Sequence, residues 1–301
     1  MGERMLISVC ICSYRRASVI ETLNSVARLN LPNDVEIEIV VVDNDADGYA
    51  GAAVRQWAAG ATIPVTYAIE PRRNIAHARN RAMELALGER MALIDDDEVA
   101  DPDWLKALLA AARTYRADVV TGRVVAVYPS DAPQWIVAAD PLSRNWGPSG
   151  MIAITGSTAN ALVDKALVVS RDIRFDPAFG HSGGEDTDFF SRLHGAGAKI
   201  VIENAAVVRE RVAFDRLDAR YLRRRAMRAG QSYALITLRS LNRTGRVRFL
   251  AFVALKVVSF SVAASVTRVV ARTHALKLAI RGWLNFGKLR ACAGYPMPKI
   301  Y

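Results

Sequence analysis

Cysteine, histidine and repetitive sequence are scarce in this chain of 301 residues, and each scarcity excludes a class of protein. Three cysteines cannot build the disulfide framework of a small secreted domain. Cys10 and Cys12 are two apart in a predicted strand, and no second Cys or His pair completes a metal site, so we expect both in the core. No low-complexity tract or internal repeat is present. The hydrophobic fraction of 51% excludes general disorder.

A signal peptide is also missing from the N-terminal stretch MGERMLISVCICSY. Its apolar run is short and no small-residue cleavage site follows it, so we expect a first strand there. The few cysteines fit a reducing cytoplasm.

Acidic residues are nearly absent from the C-terminal part of the chain. From Arg209 to Arg290 there are 19 Lys or Arg residues and 3 acids. Residues 1–208 hold 20 Lys or Arg residues and 27 acids, and therefore carry a net charge of −7. Parts of opposite sign predict an anionic partner for the basic part, either a membrane surface or nucleic acid.

An alternation of strands and helices fills the first 125 residues. Apolar, β-branched runs predict strands over Leu6–Cys12, Glu36–Val42, Pro64–Ile69, Met91–Ile94 and Asp118–Val127. Helical spacing predicts helices over Ser18–Leu29, Ala50–Ala59, Ile75–Leu87 and Asp103–Tyr115. Such alternation predicts an α/β fold with a mostly parallel, Rossmann-like sheet, in which ligands gather beyond the carboxyl ends of the strands.

Four acids follow one of these strands directly, in the stretch MALIDDDEVADPDW. If strand geometry continues through them, Asp95 and Asp97 point to the same side and offer oxygen ligands to a hard divalent cation, Mg²⁺ or Mn²⁺. The stretch is equally compatible with an acidic turn that caps the helix beginning at Asp103.

Four stretches in a fixed order carry a family resemblance: SVCICSYRR, VVVDND, ARNRAMELALGERMALIDDDEVADPDWL and GGEDTDFFSRL. Together they resemble the inverting glycosyltransferases of family 2, which have the nucleotide-diphospho-sugar transferase (GT-A) fold. A fifth stretch, RYLRRRAMRAGQSYA, resembles the tail of members that build bacterial exopolysaccharides of the succinoglycan type. The resemblance spans roughly residues 5–235.

The resemblance implies a donor site for a nucleotide sugar. It assigns the donor to Ser13, Tyr14, Arg15, Asp43, Arg79, Asp95 and Asp96. Asp43 would accept a hydrogen bond from the uracil N–H, and Arg79 would lie close to the diphosphate. Asp97, with Asp95 in the metal's shell, would bind a cation that neutralises the departing nucleotide.

The resemblance implies the catalytic role for Asp186, as the base that deprotonates the acceptor hydroxyl, with Glu185 as its neighbour at the acceptor. Asp186 alternatively caps a helix. Arg209 stands where some relatives place a histidine that completes the metal site, which leaves Glu210 to be tested there. Asn160 is either a sugar contact or a polar strand residue.

The basic tail predicts attachment to a membrane. Asp218–Leu241 reads as one helix, whose Arg224 or Arg225 either complements phosphates or is solvated. Phe249–Val266 approaches the ~20 residues of a spanning helix but contains Lys256, and Ala275–Leu289 fits an interfacial helix, so we expect in-plane or hairpin attachment. The alternative is a soluble helical subdomain. The expected divisions are a catalytic domain, residues 1–215, a basic helix, residues 216–245, and an attachment region, residues 246–301.

These expectations combine into one function. The chain is expected to be a metal-dependent glycosyltransferase that moves a sugar, glucose by expectation, from a UDP-sugar to a lipid-linked saccharide during exopolysaccharide synthesis. It would act at the cytoplasmic face of the inner membrane. The alternative is a catalytically inactive sugar-nucleotide-binding or scaffold subunit. Nucleic acid is excluded as a partner, since the tail lacks the aromatic spacing of a stacking platform.

Overall fold

The computed structural model of the protein describes residues 4–297, which form a nine-stranded mixed sheet with helices on both faces and three long helices after it. The strands are β1 Met5–Ser13, β2 Val35–Asp43, β3 Val65–Ile69, β4 Arg90–Asp95, β5 Glu98–Ala100, β6 Val119–Val127, β7 Ile152–Ala153, β8 Asn160–Asp164 and β9 Ile200–Arg211. The helices are α1 Val19–Val26, α2 Gly51–Ala59, α3 Ile75–Leu85, α4 Trp104–Tyr115, α5 Gln134–Ala139, α6 Lys165–Ser170, α7 Glu185–Gly195, α8 Ala219–Ser240, α9 Arg243–Thr267 and α10 Arg272–Cys292.

The first half of the chain forms the expected parallel sheet. Strands β3, β2, β1 and β4 lie side by side in that order, and all three pairings are parallel. Their central residues are buried from both sides, which explains why β2 reads as an almost continuous apolar run. One apolar cluster covers each face of the sheet, and the α/β expectation is confirmed.

The second half of the sheet departs from that pattern. Strand β8 inserts between β4 and β6 and runs antiparallel to both, and the short strands β5 and β7 are antiparallel to β9. Burial on both faces leaves no periodicity in β8 that would reveal its direction.

The sheet curls at the acidic turn. Only Asp96 and Asp97 separate β4 from β5, yet β5 is four strand positions away in the sheet order. Three residues reach at most ~10–11 Å, whereas four spacings in a flat sheet need ~19 Å, so the far edge must fold back towards the end of β4. The pairing of β6 with β9 breaks its register between Gly122 and Arg123, where the sheet bends.

Asn160 stabilises this break. Its amide donates hydrogen bonds to the carbonyl oxygens of Arg123 at 3.0 Å and Ala206 at 2.9 Å, and its Oδ1 accepts one from the Trp104 indole at 2.8 Å. The side chain is buried and its hydrogen-bonding groups are used within the chain. Asn160 therefore has a structural role, which fits the second of its two interpretations, a polar strand residue.

The three long helices pack on one another. Helix α10 lies against α8, α9 and the short helix α5, while α8 also contacts α7 beside the sheet. A Cβ on Gly230 would overlap the carbonyl oxygen of Leu284, and a Cβ on Gly287 would overlap that of Met227. The backbones of α8 and α10 therefore touch at these two glycines.

Helix α9 is exposed. It is the one helix among residues 4–297 that is long and apolar enough to cross a membrane, and only 6% of its most apolar window is buried. A core helix of similar composition would be covered by the rest of the fold. The expected outer ends of the catalytic and attachment regions, residues 1–3 and 298–301, lie outside the described residues.

Candidate active site

Three adjacent strand ends build one edge of a cleft. In the parallel register, Ser13 at the end of β1 lies opposite Asp43 at the end of β2, and Cys12 lies opposite Asp95 at the end of β4. The structure therefore brings together the polar residues that follow these strands in sequence.

Tyr14 and Arg15 form a basic aromatic corner beyond β1. Arg15 adopts a positive φ of 51° and its guanidinium bonds to Asp45 at 2.9 Å. The guanidinium carbons of Arg15 and Arg73 lie 5.8 and 4.8 Å from the centre of the Tyr14 ring. A ring flanked by cations suits a nucleotide base and its phosphates, which fits the donor position expected for Tyr14 and Arg15.

Asp43 is completely buried below this corner. One of its oxygens accepts hydrogen bonds from the Ala50 N–H at 2.8 Å and the Tyr67 hydroxyl at 2.9 Å, and the other accepts one from the Asp45 N–H at 3.1 Å. Its expected contact with uracil stays a prediction, and it requires the buried carboxylate to become accessible, since the oxygen bonded to Asp45 can accept a further hydrogen bond. In the described arrangement, Asp43 fixes the loop that follows β2.

The acidic turn after β4 is held by Arg16, which the sequence did not single out. Asp96 is buried and accepts hydrogen bonds from the Ser13 hydroxyl at 2.7 Å and from Arg16 at 2.9 Å. Arg16 also pairs with Asp97 at 2.6 Å. Burial and the neighbouring Asp95 raise the pKa of Asp97 to about 6. Asp96 thus anchors the turn, while Arg16 offsets only part of the burial and repulsion acting on Asp97.

Arg79 joins the two acidic segments. From α3 it forms a close ion pair with Glu185 at the start of α7 and a second one with Asp95 at 3.4 Å. The side chains of Arg79 and Glu185 are only 13% and 8% exposed, so this is a buried pair. Acids expected at one site, although distant along the chain, are thereby held in the same cleft.

Glu185 and Asp186 occupy the first turn of α7 in different surroundings. Burial raises the pKa of Glu185, Arg79 opposes that rise, and the Oε2 atom of Glu185 has no hydrogen-bond partner among residues 4–297. Asp186 is partly exposed and accepts at 3.4 Å from the Ser157 hydroxyl. Gly184, with a φ of 99°, is the N-cap, so the alternative of Asp186 as capping residue is wrong.

A continuous polar network connects Asp186 to Asp97. Arg144 donates to Ser157 at 3.4 Å and pairs with Glu210 at 3.1 Å. Arg216 pairs with Glu210 at 2.6 Å and lies 3.8 Å from Asp97. No motif or spacing marks Arg144 or Arg216 in the sequence, because their positions depend on the curl of the sheet.

A metal would find two protein carboxylates here. Residues 4–297 contain no group of three or more His, Cys, Asp or Glu side chains placed to hold an ion. Arg209 pairs with Asp101 at 2.7 Å, and both oxygens of Glu210 bond to arginines. Asp95 and Asp97 still fit a divalent cation, since a bound cation would offset both the burial and the repulsion from Asp95 that raise the pKa of Asp97.

Arg225 is the member of the arginine run that faces the site. It is half-buried, while Arg224 is exposed, and burial together with the nearby Arg144 lowers the pKa of Arg225. Within residues 4–297 it makes no hydrogen bond or ion pair. A half-buried guanidinium without a counter-charge suits an anionic ligand.

Comparison with known proteins identifies the family and the fold. The model of the family described as glycosyl transferase family 2 matches residues 8–167. The succinoglycan biosynthesis protein ExoM of Rhizobium meliloti (strain 1021) is 39% identical over 236 residues, which are 77% of this chain and 75% of the relative.

Two solved structures share the fold. S. aureus TarS 1-349 in complex with UDP-GlcNAc superposes with a TM-score of 0.53 at 16% identity, covering 96% of this chain and 92% of TarS 1-349. GalNAc-T7 with UDP, GalNAc and Mn²⁺ gives a TM-score of 0.56 at 13% identity, covering 76% of this chain and 48% of that one. The expected GT-A type of α/β fold, with an apolar helix in the C-terminal tail, is confirmed.

Proposed function

The chain belongs to glycosyltransferase family 2, and from that premise we propose that it transfers a hexose such as glucose from a UDP-sugar to a lipid-linked saccharide, with inversion at the transferred carbon. The reaction would serve exopolysaccharide synthesis at the cytoplasmic face of the inner membrane. The name of the ExoM relative supports the pathway, and the exposed apolar helix α9 supports the location.

The observation that carries the proposal is the bridge made by Arg79. It holds the acidic turn, where a donor diphosphate would lie, next to the first turn of α7, where a base is needed. An in-line displacement requires leaving group and base on opposite sides of one carbon, so both must border the same cleft. A binding or scaffold subunit has no use for a base at that place.

In the proposed reaction the acceptor hydroxyl attacks the anomeric carbon from the face opposite UDP. The new C–O bond forms as the bond to the diphosphate oxygen breaks, and the hydroxyl proton passes to Asp186. Glu185, through its unpartnered Oε2, would orient the acceptor. Arg225 would bind the negative charge that collects on the diphosphate.

Asp95 and Asp97 would hold the divalent cation, Mg²⁺ or Mn²⁺, with the diphosphate and water completing its shell. Bound there, the cation supplies neutralisation of the leaving nucleotide. The GalNAc-T7 structure, which contains UDP and Mn²⁺, supports this assignment.

The activity test is a donor screen. Purified protein with Mg²⁺ or Mn²⁺ is given a panel of nucleotide sugars, and released nucleotide is measured together with the anomeric configuration of the product. UDP release with inversion is expected. Absence of release with every donor would favour a binding or scaffold subunit.

The metal role has its own test. We expect Asp97→Ala, or a chelator added to the wild type, to abolish the Mn²⁺-dependent part of UDP binding measured by calorimetry, because the cation loses a carboxylate. Asp101→Ala is the matched control, since Asp101 lies in the following turn and pairs with Arg209. Equal Mn²⁺ dependence in all three proteins would refute the assignment.

A further inference from the structure

A sizeable cavity lies away from the acids. Its volume is ≈ 740 Å³, and it opens between α9 and α10 beside α5 and the start of α8. This volume is within the range of about 300–1,000 Å³ that is common for small-molecule sites. We call it the tail groove.

The walls of the tail groove are apolar. Small residues such as Ala264, Ala275 and Ala279 face it from both long helices, and the rings of Trp135 and Trp283 border it. Ser265 also borders it, but its hydroxyl donates to the carbonyl oxygen of Ser261 within α9, so that donor is already used. The groove therefore suits a hydrocarbon chain or another flat apolar group.

Its charged residues are all cations. Arg268 and Arg272, at the turn between α9 and α10, line the groove, and no acidic residue lines it. Within residues 4–297 neither arginine makes an ion pair or a side-chain hydrogen bond. An apolar groove with two free guanidinium groups at one end is complementary to an amphiphile that has an anionic head.

The groove adjoins the chain segment that leads away from the acidic turn. Ala219 lines it, and Arg216, three residues earlier, pairs with Glu210 and lies 3.8 Å from Asp97. Trp135 and Trp283 pack on the apolar cluster that contains Val212. An amphiphile seated in the groove is therefore close enough for a sugar on its head group to extend towards the acids.

We propose that the tail groove binds the prenyl phosphate portion of the lipid-linked acceptor, with Arg268 and Arg272 on its phosphate. The inference rests on the proposed function for the identity of the acceptor. It adds a site for the lipid that is separate from the donor site. A bulk phospholipid has the same charge but no sugar to present, so the position beside the cleft favours the prenyl phosphate.

The test measures binding of farnesyl phosphate by calorimetry in detergent micelles. Arg268→Gln/Arg272→Gln should weaken binding at least tenfold, and Ala264→Leu, which fills the groove without changing charge, should weaken it as well. The control pair Arg248→Gln/Lys277→Gln removes two exposed cations from the same helices outside the groove and should change the affinity less than twofold.

Two results would overturn the proposal. Equal weakening by the groove and control pairs would mean that any tail cation attracts the phosphate. If the groove pair instead weakened binding to phosphatidylglycerol vesicles as strongly as binding to farnesyl phosphate, the occupant would be a membrane phospholipid. Measuring UDP release on the same preparation separates this test from that of the proposed function. A protein that binds farnesyl phosphate but releases no UDP would contradict the transferase reaction without contradicting binding of a prenyl phosphate in the tail groove.

Discussion

Arg79 shows what one buried cation does for the candidate site. Among the described residues it is the one side chain paired with acids of both segments, Asp95 at the end of β4 and Glu185 on α7. Removing it would leave Glu185 buried without its counter-charge, and this penalty exceeds the net contribution of the pair itself. The residue therefore affects stability as much as ligand binding.

We expect Arg79→Met to lower the free energy of unfolding by about 3–5 kcal/mol, and Arg79→Met/Glu185→Met to recover more than half of that loss. Urea unfolding followed by tryptophan fluorescence measures both values. Arg113→Met is the control: its pair with Asp34 is exposed, so the cost should stay under about 1 kcal/mol. If Arg79→Met lost no more free energy of unfolding than Arg113→Met, the buried pair would contribute no more to stability than an exposed one.

Asp186→Asn should reduce sugar transfer by about 10²–10⁴-fold while UDP binding changes little, because the amide cannot take the acceptor proton. Transfer rates and a UDP titration on the same preparation separate the two effects. Asp176→Asn, which alters a carboxylate that caps the nearby 3-10 helix Pro177–Phe179, is expected to retain transfer. Near-normal transfer by the Asp186 variant would remove the base from the mechanism.

At this scale the sequence predicts residues whose role follows from a local pattern. Asp95 ends a recognisable strand and Asp97 follows it closely, while Glu185 and Asp186 begin a recognisable helix. The position of each pair in the fold could therefore be predicted. Arg16 and Arg144 could not, since each meets its partners only through long-range contacts. For the same reason the sequence left the role of Asn160 open, because the register break that it stabilises depends on contacts distant along the chain.

At the scale of elements, hydrophobic patterning predicts that a strand or helix is present better than it predicts the direction in which a strand runs in the sheet. Strand β8 is short and buried on both faces, so nothing in its five residues indicates that it runs antiparallel to β4. The expected helix Asp218–Leu241 agrees with α8, Ala219–Ser240, because its Asp218 cap and long helical pattern are both local signals.

The contact between α8 and α10 is set by glycine. Gly287→Ala should cost about 1–3 kcal/mol of stability, since its methyl group would overlap the Met227 carbonyl oxygen and push the helices apart. Gly282→Ala on the same helix meets its nearest atoms at 3.6 Å and should be neutral or stabilising. Thermal unfolding and protease sensitivity of the tail would compare them. Equal stability of the two variants would contradict the close approach.

The whole molecule is divided by charge and by exposure. The sheet carries the acids, and the tail carries the unpaired arginines together with the exposed apolar side chains of α9. Leu255 and Val262 are 64% and 58% exposed, which is unfavourable in water unless a partner covers them. The proposed membrane surface would be complementary both to the positive charge and to the exposed apolar side chains.

Leu255→Glu/Val262→Glu should therefore prevent flotation of the protein with vesicles that contain phosphatidylglycerol, since each charge inside a bilayer costs roughly 2.5–3.5 kcal/mol. Leu87→Glu/Val169→Glu makes the same changes at two exposed apolar positions of the body and should still float. Flotation of both variants would place the membrane contact elsewhere.

The short connection from Asp95 to Glu98 limits which sequence changes the acidic turn can accept. A glycine inserted after Asp97 would give the turn slack, but it would also invert the alternation along β5: the glycine would take the inward place of Glu98, Glu98 would move to the place of Val99, and the ion pair of Glu98 with Arg144 would be lost. Substitutions can change the side chains of the turn one at a time. The length of the turn cannot change in the same way, because the curvature of the sheet depends on it. The spacing between Asp95 and Asp97 is thus set by the backbone, and any ligand of the turn has to fit that spacing.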